Sequence, residues 1–315
     1  MRTLVDLRFV VVSGKGGVGR TTVAVTLARV ASAAGKRVLV AAAAATDRIG
    51  RMFGQNEPLG PNITPLAPGI EGVNITPASS LHEYGLKVLR SELITRAVFE
   101  NRAVSSLLGA IPGLDAYALL GKAWFHTTEL RDRRPRYDLV IFDGPASGHA
   151  ALMLRIPQAI LNVMPKGPLA GDARAIRELL ADPARAALAI VTLAEDLPAR
   201  EALELAAQAR GPLGVALGPL IVNAVPTDAL SAPAVGAVLA AAGSAPGSAA
   251  PDGRLQATLR LAAGVRAHRE AADRVLAALK RDLGLPMITL PRIPTAEIGP
   301  AIIAELTPHL AEQMR

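Results

Sequence analysis

Residues 9–22 read FVVVSGKGGVGRTT, an apolar, strand-like run that ends in a glycine-rich turn and passes at once into a helical pattern. Few architectures accommodate that order. Glycines let consecutive backbone N–H groups converge on one point, and a helix beginning near Gly19 adds the positive end of its dipole, so the turn is suited to holding an anion. Gly14, Lys15, Gly16, Gly17, Val18, Gly19, Arg20 and Thr21 fit the phosphate-loop pattern GxxxxGK[ST] at every position except one, where Arg20 stands for the lysine. Thr21 would offer a hydroxyl to Mg2+, and Thr22 completes the candidate nucleotide-binding stretch.

The remaining sequence supplies a frame for such a loop. Apolar runs at 37–41, 138–142, 188–192, 219–223 and 286–290 alternate with helical patterns at 21–34, 172–181, 199–209, 255–283 and 297–312. That alternation predicts βαβ units, hence an α/β fold with a doubly wound, mostly parallel sheet. Between residues 79 and 131 helical patterns occur without a clear strand, so this stretch reads as a helical insertion within a single domain spanning 1–315. Residues 240–253, AAAGSAPGSAAPDG, have the composition of a flexible surface loop.

Composition narrows the chemistry. The 315 residues include no cysteine, which excludes disulfides, thiolate zinc sites and cysteine-based binding of soft metalloids. The net charge of +7 suits an acidic partner. The basic residues are nearly all arginine in an Ala-, Gly- and Pro-rich chain, however, and acidic residues are interspersed among them on the long helical stretch after Leu255. Dispersed surface charge is the simpler reading, and nucleic acid is not expected as a partner. There is no run of about 18 apolar residues that would make a transmembrane segment, and the N-terminus lacks a signal-peptide pattern. A cytoplasmic protein is the expectation.

Lys15 makes the loop more specific. GKGGVGxTT with a lysine at its second position resembles the deviant Walker-A class of P-loop ATPases. That class includes ParA/MinD partition and positioning ATPases, nitrogenase iron protein, and the ArsA arsenite-pump ATPase with its tail-anchored-protein-targeting relatives. The resemblance implies a P-loop NTPase that uses ATP/ADP and Mg2+ and dimerises around nucleotide, with Lys15 reaching the opposite subunit's phosphates. In YDLVIFDGPASGH, from Tyr137, Asp143 matches the Walker-B carboxylate that would hold Mg2+. The following residues resemble the D-x-P-x-T-G-H switch of the ArsA branch, with Ser147 for threonine and His149 as the branch-specific residue. IPGLDAYALLGKAW, VTLAEDLPAREALEL and PLIVNAVP resemble three further family segments. The last implies that Asn223 contacts adenine.

The departures bear on activity. The family's second strand leads to a D-P-A switch whose aspartate orients the attacking water; in RVLVAAAAATDRIGRMFG, aligned from either end, Ala44 occupies that place. Asp47 lies three residues on and would take that place only in a remodelled loop, the less favoured alternative when an error of about 1 Å can cost on the order of 100-fold in rate. Lys15, Arg20 and Asp143 remain as catalytic candidates. The resulting expectation is an ArsA-like ATP-binding dimer with slow or impaired hydrolysis that acts on a protein client. One alternative is a non-catalytic subunit in a heterodimer with an intact ArsA-like paralogue, and another is a ParA/MinD-like scaffold or filament. The six methionines all lie outside the helical insertion, so no Met-lined client groove is expected there.

Overall fold

A computed structural model describes residues 3–43, 48–89, 91–93, 101, 113–227, 253–295 and 297–314. Its centre is an eight-stranded sheet: β1 (Phe9–Gly14), β2 (Val38–Ala42), β3 (Thr64–Ala67), β4 (Ile70–Asn74), β7 (Leu139–Ala146), β8 (Ala186–Leu193), β9 (Leu220–Val225) and β10 (Met287–Pro291). The spatial order is β10-β9-β8-β1-β7-β2-β4-β3, and every pairing is parallel except that of β3 with β4. β5 (Leu130–Arg131) and β6 (Arg134–Pro135) form a separate short hairpin, turned by the positive φ of Asp132 and Arg133. The expected α/β, mostly parallel fold is therefore the observed one.

The continuous apolar character of the central strands follows from burial on both faces. Successive side chains of a strand point to opposite sides. Val10 and Val12 join the core beneath α1 (Arg20–Ala33) and the C-terminal helix α9 (Pro300–Gln313). Phe9 and Val11 join the opposite core, with residues of α4 (Leu114–Thr128), α5 (Ser147–Val163), α6 (Pro168–Ala181), α7 (Asp196–Gln208) and α8 (Gly253–Leu283). The short α2 (Ile49–Met52) and α3 (Pro77–Leu89) complete the described α-helices, beside a 3-10 turn at Leu4–Asp6 and a π-helical turn at Ala209–Leu213.

The chain leaves β1 toward β2 on one side and later builds β8 to β10 on the other. Parallel sheets of this kind open a crevice at the carboxyl ends of the strands where the winding reverses, and β1 borders that crevice.

Three elements differ from the expectation. β7 does not stop at Asp143 but continues to Ala146, because β1 still provides a partner there, Gly14 opposite Ala146. α5 starts immediately after it, so the segment read only as a switch is a strand end joined directly to a helix. β3 and β4 were not foreseen, since four- and five-residue strands containing Pro65 and Gly72 carry little periodicity. Of the stretch read as a helical insertion, α3 and α4 are described, whereas residues 94–100 and 102–112 lie outside the described residues, as does nearly all of the 240–253 loop.

Adjacent strands are tied at their entry ends. Arg37 at the start of β2 donates from Nε and Nη2 to both carboxylate oxygens of Asp138 at the start of β7, at 3.0 and 2.8 Å, and the Arg37 backbone N–H adds a third bond at 2.9 Å. These bonds lower the Asp138 pKa from 3.8 to about 2. A depressed carboxylate pKa contributes stability that is full above the unfolded value and is lost as pH falls through the folded one. Because both side chains are partly exposed, Asp138→Asn should cost about 1 kcal/mol at neutral pH. In urea titrations the gap to wild type should narrow as pH drops below 3.8; a gap independent of pH would show that Asp138 contributes by packing instead.

Candidate functional site

Strand register creates the centre of the site. β7 lies between β1 and β2, and Asp143 is opposite Val12 on one side and Ala42 on the other, at the carboxyl end of the sheet. The chain turns from β1 into α1 through a loop in which Gly17 and Gly19 have φ of +86° and +88°. Gly19 caps α1 without a side-chain hydrogen bond, so the first-turn N–H groups face the loop. Thr21, in that first turn, donates from its hydroxyl to Asp143 Oδ2 at 2.7 Å. Asp143 is only 8% exposed. A hydroxyl and a carboxylate thus meet beside a turn of converging backbone donors, and both offer the hard oxygen ligands that Mg2+ prefers.

Both cations of the loop are already engaged. Arg20 is half-buried, and burial lowers its pKa, although a guanidinium stays charged. Its Nη1 donates to the Gly144 carbonyl at 2.8 Å, joining the loop to the residue after Asp143. Lys15 Nζ lies 2.5 Å from Glu201 Oε1 on α7, and Ser147 Oγ, at the start of α5, donates to Glu201 Oε2 at 2.8 Å. The Lys15 ammonium, with the Ser147 hydroxyl second, holds the Glu201 pKa below the usual carboxylate range. Glu201 was not anticipated as a site residue. Its signal was present, because it closes the family-like stretch TLAEDLPARE, but nothing in the spacing linked it to Lys15 across 186 residues.

Asn223 ends up under the loop. It sits in β9, 9% exposed, and its side-chain N–H donates to the Val18 carbonyl at 2.9 Å. Here it braces the glycine loop. Ser13 adds another brace, donating to the Pro145 carbonyl at 2.9 Å. His149 is exposed in the first turn of α5. Ala44 and Asp47 both lie outside the described residues.

The family of ArsA ATPases, described as anion-transporting ATPases, matches residues 7–167 of this chain, which include the loop, Thr21 and Asp143. The chain belongs to the ArsA ATPase family. Relatives include ATPase BagA of Mycobacterium tuberculosis, 28% identical over 70% of this chain and 66% of the relative. The arsenical pump-driving ATPase of Escherichia coli is 30% identical over 68% of this chain and 38% of its own length. ATPase ASNA1 homolog 1 of Paramecium tetraurelia is 27% identical over 51% of this chain and 46% of its own length. The match therefore spans two thirds or less of these relatives. Among the described residues, no helix of this ArsA-family chain is long and apolar enough to cross a membrane.

Two glycines of the loop make a stringent test of its geometry. A Cβ on Gly14 would fall 2.0 Å from the Val191 carbonyl oxygen, a backbone atom in β8 that cannot yield without moving the strand. A Cβ on Gly17 would meet nothing within 4 Å, so alanine there meets only the penalty for a left-handed φ. Gly17→Ala is expected to cost about 1–2 kcal/mol, and Gly14→Ala roughly 3 kcal/mol or more. Equal losses in chemical denaturation would mean that β1 and β8 are less closely packed at Gly14 than described.

Proposed function

We propose that this chain is an ArsA-like ATP-binding protein that closes as a dimer around Mg-ATP, hydrolyses it slowly and acts on a protein client. The carrying observation is the Thr21–Asp143 pair beside the glycine loop. Thr21 and Asp143 would hold Mg2+, which bound there neutralises charge on the nucleotide's phosphates. The backbone of Gly14 to Thr22 would cradle those phosphates, with Lys15 and Arg20 supplying positive charge and Asn223 near the base. Residues 1–315 would act as one P-loop domain, with 79–131 as its helical insertion.

Slow turnover follows from two substitutions. Phosphoryl transfer depends chiefly on positioning and electrostatic stabilisation. Arg20 places a planar fork where a lysine would place a compact ammonium, and Ala44 offers no carboxylate to orient water. The same two residues favour a second reading, a non-catalytic subunit that binds ATP structurally beside an intact ArsA-like paralogue. There Lys15 would complete the partner's site.

Calorimetry with Mg-ATP and phosphate-release assays on wild type, Ala44→Asp and the Arg20→Lys/Ala44→Asp double variant test the proposal. Submillimolar binding by all three is expected, with turnover rising at least about 100-fold on restoration. Fast wild-type turnover would remove the impaired-hydrolysis reading, and absence of binding would remove the nucleotide reading altogether.

Glu201 competes with phosphate for Lys15 in this scheme. Their side chains are about 30% exposed, so the pair is worth at most about 1 kcal/mol. Glu201→Gln should tighten Mg-ATP binding by up to roughly five-fold. Unchanged or weaker binding would mean that Lys15 does not leave Glu201 for the nucleotide.

A further inference from the structure

The entry end of β7, away from the glycine loop, carries a basic feature of its own. β5 and β6 form the hairpin LRDRRP just before that strand, and its ladder pairs Leu130 with Pro135 and Arg131 with Arg134. Because side chains alternate along a strand, the two arginines share one face of the hairpin, and Leu130 and Pro135 share the other. Like charges directly opposite each other destabilise such a ladder. All four residues and the tip residue Arg133 are exposed. Among the described residues, no carboxylate forms an ion pair with Arg131, Arg133 or Arg134.

The turn adds a second local cost. Two-residue turns with positive φ at both central positions favour Asn-Gly or Asp-Gly. Here Arg133 takes a φ of +63°, where glycine would do so freely. Local choices that conflict with the surrounding fold collect at functional positions.

The base of the hairpin is firmly held. Arg136 donates from Nη2 to Glu71 Oε2 at 3.1 Å, and its backbone N–H donates to the Glu129 carbonyl at 2.9 Å. Arg8 donates to the carbonyls of Thr127 and Tyr137, on either side of the hairpin. Beside it lies a depression of about 280 Å3, lined by Arg37, Arg131 and Arg136 together with Pro65 and Ala67 of β3. Arg37 is paired with Asp138, and Arg136 with Glu71. Of these three cations, Arg131 alone has no acidic partner among the described residues.

We propose that the hairpin and the depression form a docking site for an acidic, extended segment of a partner protein. A carboxylate of that segment lies between the Arg131 and Arg134 guanidiniums and relieves their repulsion, since the planar fork of arginine matches carboxylate geometry. A neighbouring apolar side chain enters the depression against Pro65 and Ala67. Free arginines beside a small apolar recess suit a peptide, which carries both kinds of side chain, better than a uniformly charged nucleic-acid backbone. Leu130 and Pro135 face away from Arg131 and Arg134, so the hairpin does not present apolar and basic groups together as a lipid surface requires.

Fluorescence anisotropy with labelled peptides tests the assignment. The probe is a run of glutamates with one central leucine; two comparison peptides replace every glutamate by glutamine, or the leucine by serine. Wild type should bind the probe at least about ten-fold more tightly than the glutamine peptide and about five-fold more tightly than the serine peptide. Arg131→Gln/Arg134→Gln should lose about ten-fold in affinity for the probe. Arg51→Gln/Arg177→Gln removes the same charge from exposed positions elsewhere and should bind as wild type.

Equal affinity for the probe and either comparison peptide, equal loss in the two double variants, or no loss in either would overturn the proposal. Tighter binding of a single-stranded oligonucleotide or of phosphatidylserine vesicles than of the probe, lost in Arg131→Gln/Arg134→Gln, would overturn the choice of a protein segment and give the arginines to that partner instead. Should the double variant lose its fold, as judged by circular dichroism, Arg134→Gln alone decides: a loss of about three-fold is expected, and undiminished binding would overturn the site.

Discussion

The site depends on the parallel pairing of β1 with β7. That register sets Asp143 opposite Val12, and because α1 springs from the end of β1, it also brings the Thr21 hydroxyl within 2.7 Å of the carboxylate. A slip of one residue would turn Asp143 to the other face of the sheet. Burial of both sheet faces opposes such a slip, since it would exchange Val140 and Phe142 with Leu139 and Ile141 between two differently shaped cores. Packing far from the loop therefore holds the loop's chemistry in place.

On that frame, the loop's charged groups act as links between elements. Arg20 connects the loop to Gly144, while Lys15 and Ser147 share the two oxygens of Glu201, so the loop, the start of α5 and α7 meet at one carboxylate. Under the proposed function, a polyphosphate competing for Lys15 would alter the environment of Ser147 through their common partner. Coupling of this kind needs no movement of the sheet. It requires only that an exchangeable ion pair be weaker than a charge-assisted contact to phosphate.

Much of this was legible in the sequence because it is local. The apolar run of β1, the glycines and the helix start are consecutive, so the strand–loop–helix unit could be read directly, and the alternation of strand and helix patterns indicated the α/β sheet. β3 and β4 escaped because each is only four or five residues long and Pro65 and Gly72 interrupt its pattern. The continuation of β7 beyond Asp143 escaped because it depends on a partner strand more than 120 residues earlier.

By itself the sequence determined the glycine-loop pattern, the presence of Arg20 and Ala44 in it and after β2, and the absence of any thiol ligand, all properties of residue identity and near spacing. The tertiary structure alone decided that Asn223 braces Val18, that Glu201 holds Lys15, and that the Tyr117 hydroxyl is buried without a partner. Each of those depends on side chains from elements remote in the chain coming within a few ångströms. Periodicity can show which face of an element is buried, but only the packed fold fixes which groups share that buried space and which are left unpaired.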